Sequence, residues 1–145
     1  MQSVYNIFFH MSSYNYSSWT IQYVPVSKLE DIKKEWLHLE SGKEMTLFQT
    51  YEWYRMLRQC YIPQDNYNYE SVFALVYKGI KCYLIAPLWI IKHNFKIINK
   101  RGVYILGRDG CSDYLNMIYK VFDPNAFDSL IEDLCKRYRV KYFYL

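Results

Sequence analysis

What this chain lacks removes several function classes at once. It has four cysteines, Cys60, Cys82, Cys111 and Cys135, and the nearest pair is 22 positions apart. No CxxC zinc or redox motif can be written from them, so free buried thiols in a reducing cytoplasm are the expectation. The three histidines, His10, His38 and His93, fall in a polar leader, on a helical segment and in a turn. None has a nucleophile or a second ligand beside it in sequence, so neither a metal site nor a catalytic triad is indicated. The longest apolar run, Tyr83 to Ile91, is far short of the ~20 residues a membrane helix needs, and it contains a proline. No Lys or Arg occurs in the first 18 residues, which also lack an apolar core segment, so they do not read as a secretory signal. Residues 1–18 are expected to be a poorly ordered polar leader, and translation starting at Met11 is an alternative. Basic residues outnumber acidic ones by 18 to 14, for a net charge of +4, but without a run. A clustered basic face for nucleic acid is therefore not expected.

What the chain has in abundance is apolar and aromatic surface. Hydrophobic residues make up 52% and aromatics 20% of the 145 positions, enough for one folded domain with a real core. The organising stretch is Val72 to Ile91, two apolar runs joined at Lys78-Gly79. This reads as a β-hairpin closed by Tyr77 and Ile80, because Gly supplies the positive φ of a tight turn. Neither arm alternates polar with apolar, so both faces must be covered, and the hairpin belongs mid-sheet between helices. Pro87 cannot donate to a ladder and should mark a bulge or the place where the strand parts from a neighbour, an opening a ligand could use.

Around this hairpin the chain reads β, α, α, a β meander, then α, β. Trp19 to Val24 has strand alternation, ended by Pro25. Ser27 and Glu30 form a capping-box pattern before Leu29, Ile32, Trp36 and Leu39, a helix closed by Gly42. Thr50 is the N-cap of a second helix with Trp53, Met56, Leu57 and Cys60 on one side, stopped by Pro63. After a turn at His93-Asn94 come a short strand, Phe95 to Ile98, a turn at Asn99–Gly102, and the strand Val103 to Leu106. The Gly107–Tyr114 loop follows, then a strand from Leu115 to Val121. Asp123 caps a third helix that starts at Pro124, with Phe127, Leu130, Ile131, Leu134 and Tyr138 on one stripe. Val140 to Leu145 is a last strand. The expected fold is α/β of the α+β kind: a mixed, mostly antiparallel central sheet with helices on both faces.

Several segments together suggest a family. They are the Trp36-x2-Leu39 helix, Leu47–Leu57 (LFQTYEWYRML), Ala86-Pro87-Leu88, Ile105-Leu106-Gly107, the triplet Ser112-Asp113-Tyr114, and the closing helix and strand. Over residues 19–145 the pattern resembles the N-terminal half of acetyltransferase-like proteins of the cellulose-biosynthesis (CelD) type, relatives of GNAT and FemAB-like transferases. The resemblance implies one GNAT-like lobe of a tandem acyltransferase acting on a polysaccharide or cell-envelope acceptor. It also implies that acetyl-CoA or another acyl-CoA is bound by a C-terminal lobe this sequence does not contain. A GNAT cofactor site needs a glycine-rich loop opening a helix. Here Gly107 and Gly110 are followed by Asp113 and a further strand, and Asp109 and Asp113 would repel a pyrophosphate. The lobe alone is thus expected to be inactive, and its apolar last strand to self-associate.

The resemblance makes Gln49 and Trp53 a cleft-lining pair, with the indole stacking on a sugar ring and the amide holding a hydroxyl. Asp113 and Tyr114 would orient an acceptor, Asp113 taking its proton as general base. Each has a plainer reading: Trp53 lies on an apolar helix stripe, and Asp113 can cap its own turn. Lys100, Arg101 and Arg108 flank one strand and read either as a small anion patch or as solvated loop charges. The competing function is a non-catalytic module that stacks glycan or single-stranded nucleic acid on its tyrosines. That module needs one sheet face bare and aromatic, whereas the hairpin pattern calls for both faces to be covered.

Overall fold

The structure, a computed structural model, describes residues 18–41, 45–60, 69–95, 98–106 and 116–144. Its elements are β1 (Trp19–Pro25), a 3-10 segment (Val26–Ile32), α1 (Lys33–Glu40), a short 3-10 turn (Leu47–Gln49) and α2 (Tyr51–Cys60). They continue with β2 (Tyr69–Lys78), β3 (Lys81–Phe95), β4 (Ile98–Ile105), α3 (Pro124–Tyr138) and β5 (Val140–Tyr144). The five strands form one open sheet in the order β1-β2-β3-β4-β5. All neighbours are antiparallel except β4 and β5, which are parallel because α3 carries the chain back to the same end.

The central hairpin is buried on both faces, as its unbroken apolar pattern requires. Phe73, Leu75, Cys82, Ile85 and Trp89 face α1 and α2, packing with Leu29, Trp36, Leu39, Tyr54 and Leu57. Val72, Ala74, Val76, Leu84, Ala86, Leu88 and Ile90 face the other way, against Ala126, Leu130 and Leu134 of α3. This is the mixed, mostly antiparallel sheet with helices on both faces that the sequence predicts. Trp36, with no exposed surface, is the keystone of the first layer; its ring meets Tyr51, Tyr54 and Phe73 at 6.2, 5.0 and 5.3 Å.

Local details depart from the sequence reading in five places. The hairpin closes on Lys78↔Lys81, so its turn residues are Gly79 and Ile80. Gly79 has φ 60 and occupies the first turn position, where a type II′ turn demands it. The expected turns at His93-Asn94 and Asn99–Gly102 do not exist: β3 runs straight to Phe95 and β4 starts at Ile98. Gly102 lies inside β4 for a different reason. A Cβ there would sit 2.7 Å from Tyr142 Cε2, so this glycine admits the ring of a neighbouring strand.

The third departure is the first helix, which enters as a 3-10 segment, broken at Lys28, without a Ser27 cap. The capping box forms instead at Thr46 and Gln49. On α2, Thr50 does cap, its Oγ1 accepting from Trp53 N–H at 3.2 Å. Its buried stripe, however, is Tyr51, Tyr54 and Leu57, while Met56 is half exposed; two tyrosines supply the inward face. Finally, the Leu115–Val121 strand reduces, over its described residues, to a single bridge, Ile85↔Ile118. α3 follows its sequence signals: Asp123 accepts from Asn125 N–H at 2.9 Å, Pro124 starts the helix, and Arg139 ends it at φ 53.

Candidate functional site: the strand parting beside Pro87

Pro87 sits where β3 exchanges one neighbour for another. β4 pairs with β3 only as far as Leu88↔Ile105, after which Leu106 N–H donates to the Pro87 carbonyl at 3.0 Å. Two residues back, Ile85 exchanges both backbone hydrogen bonds with Ile118, at 2.9 and 2.8 Å. A residue's N–H and C=O point to the same side of an antiparallel strand. The nitrogen of Pro87 therefore faces this parting, where its missing donor breaks no ladder bond. On this side of β3 the pairing with β4 ends at Leu106, and the next described partner is Ile118.

The first of the expected site residues fastens this place. Gln49 is buried, with 5% of its surface exposed. Its Oε1 accepts from Thr46 N–H at 3.2 Å and from Thr46 Oγ1 at 3.3 Å, and its Nε2 donates to the Met117 carbonyl at 3.1 Å. The Gln49 carbonyl accepts from Trp36 Nε1 at 3.1 Å. The amide expected to hold a substrate hydroxyl is thus engaged in tying the start of α2 to the returning chain. Trp53, a turn further on, packs edge-on against Phe48 at 4.9 Å on the margin of the α1–α2 layer. Its Nε1 is shielded from solvent and has no acceptor among the described residues. A shielded donor left unpaired costs about 1–3 kcal/mol, which an oxygen of a bound molecule would recover.

Asp113 and Tyr114 lie outside the described residues, as do Gly107, Arg108 and Gly110 and the side chain of Lys100. Arg101, the described member of the basic group, donates from Nη1 to the Tyr138 carbonyl at 3.2 Å, closing the last turn of α3 onto β4.

Two further features were not legible as site residues. A hollow of about 290 Å³ opens between β1, the 3-10 segment and α1, lined by Gln22, Lys28, Asp31, Glu35 and Tyr77 among others. The Oε2 of Glu35 is shielded and has no partner among the described residues. Burial is the main reason the Tyr77 hydroxyl is pushed up to about 12, with Cys82 and Glu35 adding to it. Burial likewise raises the Cys82 thiol to about 12, so it is an inert packing residue rather than a nucleophile. Gln49 and Trp53 do not line this hollow.

An acyl-CoA does not fit the one helix start that follows the parting. The free N–H groups at the start of α3 face the Asp123 carboxylate, which already accepts from Asn125 N–H and Nδ2. A pyrophosphate would meet a negative charge where it needs bare donors. Among the described residues no group of three or more His, Cys, Asp or Glu could hold a metal ion. Compared with family models, with curated proteins and with solved structures, the chain matches none, so a functional reading of it rests on its own residues.

Proposed function

We propose that this chain is the acceptor-holding lobe of a GNAT-like acyltransferase of the cellulose-biosynthesis type. Its acceptor is a polysaccharide or other cell-envelope glycan, and the acyl-CoA is bound by a second lobe. The observation that carries the reading is the shielded Trp53 Nε1 on the margin of the α1–α2 layer, which has no acceptor among the described residues. The Gln49–Met117 hydrogen bond holds the start of α2 a few residues along the chain from Asp113 and Tyr114.

In this reading Trp53 offers a sugar oxygen a ring edge and an N–H that is unpaired among the described residues, Gln49 positions the returning chain, and Asp113 accepts the proton of the acceptor hydroxyl. The second lobe docks along β5, the last strand of the sheet, where Tyr142 and Phe143 are half buried and Tyr144 is 39% exposed. Without that lobe, the open edge pairs with another copy of itself.

Titration with a soluble β-glucan oligosaccharide, followed by tryptophan fluorescence, tests this reading. A saturable change that Trp53→Leu abolishes, with the thermal midpoint kept, is expected. Equal responses from wild type and Trp53→Leu, or no response to any neutral glycan, would remove the acceptor role.

A further inference from the structure

At the far end of the hairpin, the turn carries a residue that folding does not explain. Gly79 and Ile80 are the two turn residues, and Ile80 is fully exposed, at 101%. Turn positions favour Gly, Asn, Asp and Ser; a β-branched aliphatic that touches nothing gains no packing there. Around it the chain has assembled a specific set of side chains. Trp19 faces Lys78 across β1–β2, and Lys78 faces Lys81 across the turn. The register between β2 and β3 shifts at Val76/Tyr77, leaving Tyr83 as the extra residue of a bulge. Bulges re-aim side chains, and this one sets Tyr83 edge-on to Trp19 at 5.3 Å. The ammonium of Lys78 lies 5.4 Å from the Trp19 ring centre, and that of Lys81 4.9 Å from the Tyr83 ring centre.

The tip therefore presents, in order from its apex, one bare aliphatic side chain, two ammonium groups and two amphipathic rings. No acidic residue lies in Ser18–Thr20 or in Lys78–Tyr83. We propose that this tip docks the protein onto an anionic lipid bilayer. Ile80 enters the acyl boundary, Lys78 and Lys81 pair with headgroup phosphates and carboxylates, and Trp19 and Tyr83 sit at the headgroup level, where such rings concentrate. Lysine stems bend along apolar surface while their heads stay wet, which suits this depth.

A single-stranded nucleic acid would use the same charges but not the same geometry. Stacking needs an open ring face, and here each ring has a lysine ammonium over it and the two rings meet edge to face. The exposed aliphatic apex would have no role in that complex. The lipid reading stands independently of the acyltransferase reading, since it involves neither Gln49 nor Trp53.

Flotation with vesicles tests it, comparing phosphatidylcholine alone with phosphatidylcholine containing about one-third phosphatidylserine. The 145-residue chain is expected to float with the anionic vesicles only, and less so as salt rises. Ile80→Ser should weaken that partitioning about tenfold. Lys78→Ser and Lys81→Ser should each weaken it about fivefold. Trp19 emission should be quenched by brominated acyl chains, a signal that Trp19→Phe removes. Because Ile80 touches nothing, Ile80→Ser should melt with the wild type, so loss of binding reports the surface. Equal flotation on both vesicles, partitioning unchanged in the Ile80 and lysine variants, or a single-stranded oligonucleotide that displaces the protein from vesicles would overturn the proposal.

Discussion

Replacing Gln49 by Ala should unfold more than one side chain's worth of structure. The substitution removes the acceptor of Thr46 N–H and the donor to the carbonyl of buried Met117, through a side chain that is itself only 5% exposed. The Trp36 hydrogen bond survives, because it goes to the Gln49 backbone carbonyl. Loss of the cap costs about 1 kcal/mol, and the buried Met117 carbonyl left without its donor costs about 1–3 kcal/mol, so the total is about 2–4 kcal/mol. Urea unfolding measures it, and hydrogen exchange locates it: protection should fall first at Ile85 and Ile118 N–H, whose mutual bonds the Gln49–Met117 tie holds in place. Gln49→Glu sharpens the test. Its carboxylate would stand against the Met117 carbonyl instead of donating to it, so the folded state raises its pKa. The variant should be most stable when protonated, below the ordinary Glu range of about 4.3, and lose stability as pH rises through the raised value. A Gln49→Ala loss below about 0.5 kcal/mol, the range of ordinary surface changes, would refute the reasoning.

Gly102→Ala offers a test with an unusual sign. In an open strand position this change stabilises modestly, but here the new methyl meets Tyr142 at 2.7 Å. A loss of about 1–3 kcal/mol is expected, with faster exchange along β5; a gain in stability would contradict the packing. Alkaline unfolding should begin early. Cys82 is raised from 9.0 to about 12, and Tyr51, Tyr77 and Tyr138 from 10.0 to about 12, in each case chiefly by burial. Groups raised in the folded state contribute fully below their unfolded values, and that contribution disappears as pH climbs to the folded ones. Stability should therefore decline from about pH 9 and more steeply above 10, and Cys82→Ala should remove the earlier part. An unchanged onset in Cys82→Ala would sink that assignment.

The elements whose local chemistry and burial agree could be read directly from residues. The unbroken apolar arms of Val72–Ile91 announce a hairpin covered on both faces, and Asp123-Pro124 fixes the start of α3. Pro87 marks the parting because a missing donor is tolerated only where strands change partners. Other positions carried the wrong local signal. Gly102 resembles a turn residue, but its lack of a side chain serves Tyr142, a contact visible only once β5 lies beside β4. Tyr51 and Tyr54 hide the inward face of α2, since tyrosine density alone does not say which rings are buried. Ser27 and Glu30 have the spacing of a capping box, yet the segment there starts after Pro25 as a 3-10 turn with no side-chain cap, and the box forms at Thr46 and Gln49, before a different element. Gln49 comes forward from sequence only through the family resemblance, and its partner, the Met117 carbonyl, stands 68 positions away, beyond the reach of any local pattern.

Calorimetric titration of the 145-residue chain with acetyl-CoA bears most directly on the account, which places the acceptor here and the cofactor elsewhere. With Asp123 occupying the start of α3, no heat of binding is expected for wild type. A saturable acetyl-CoA isotherm for this chain by itself would contradict the division of labour between two lobes.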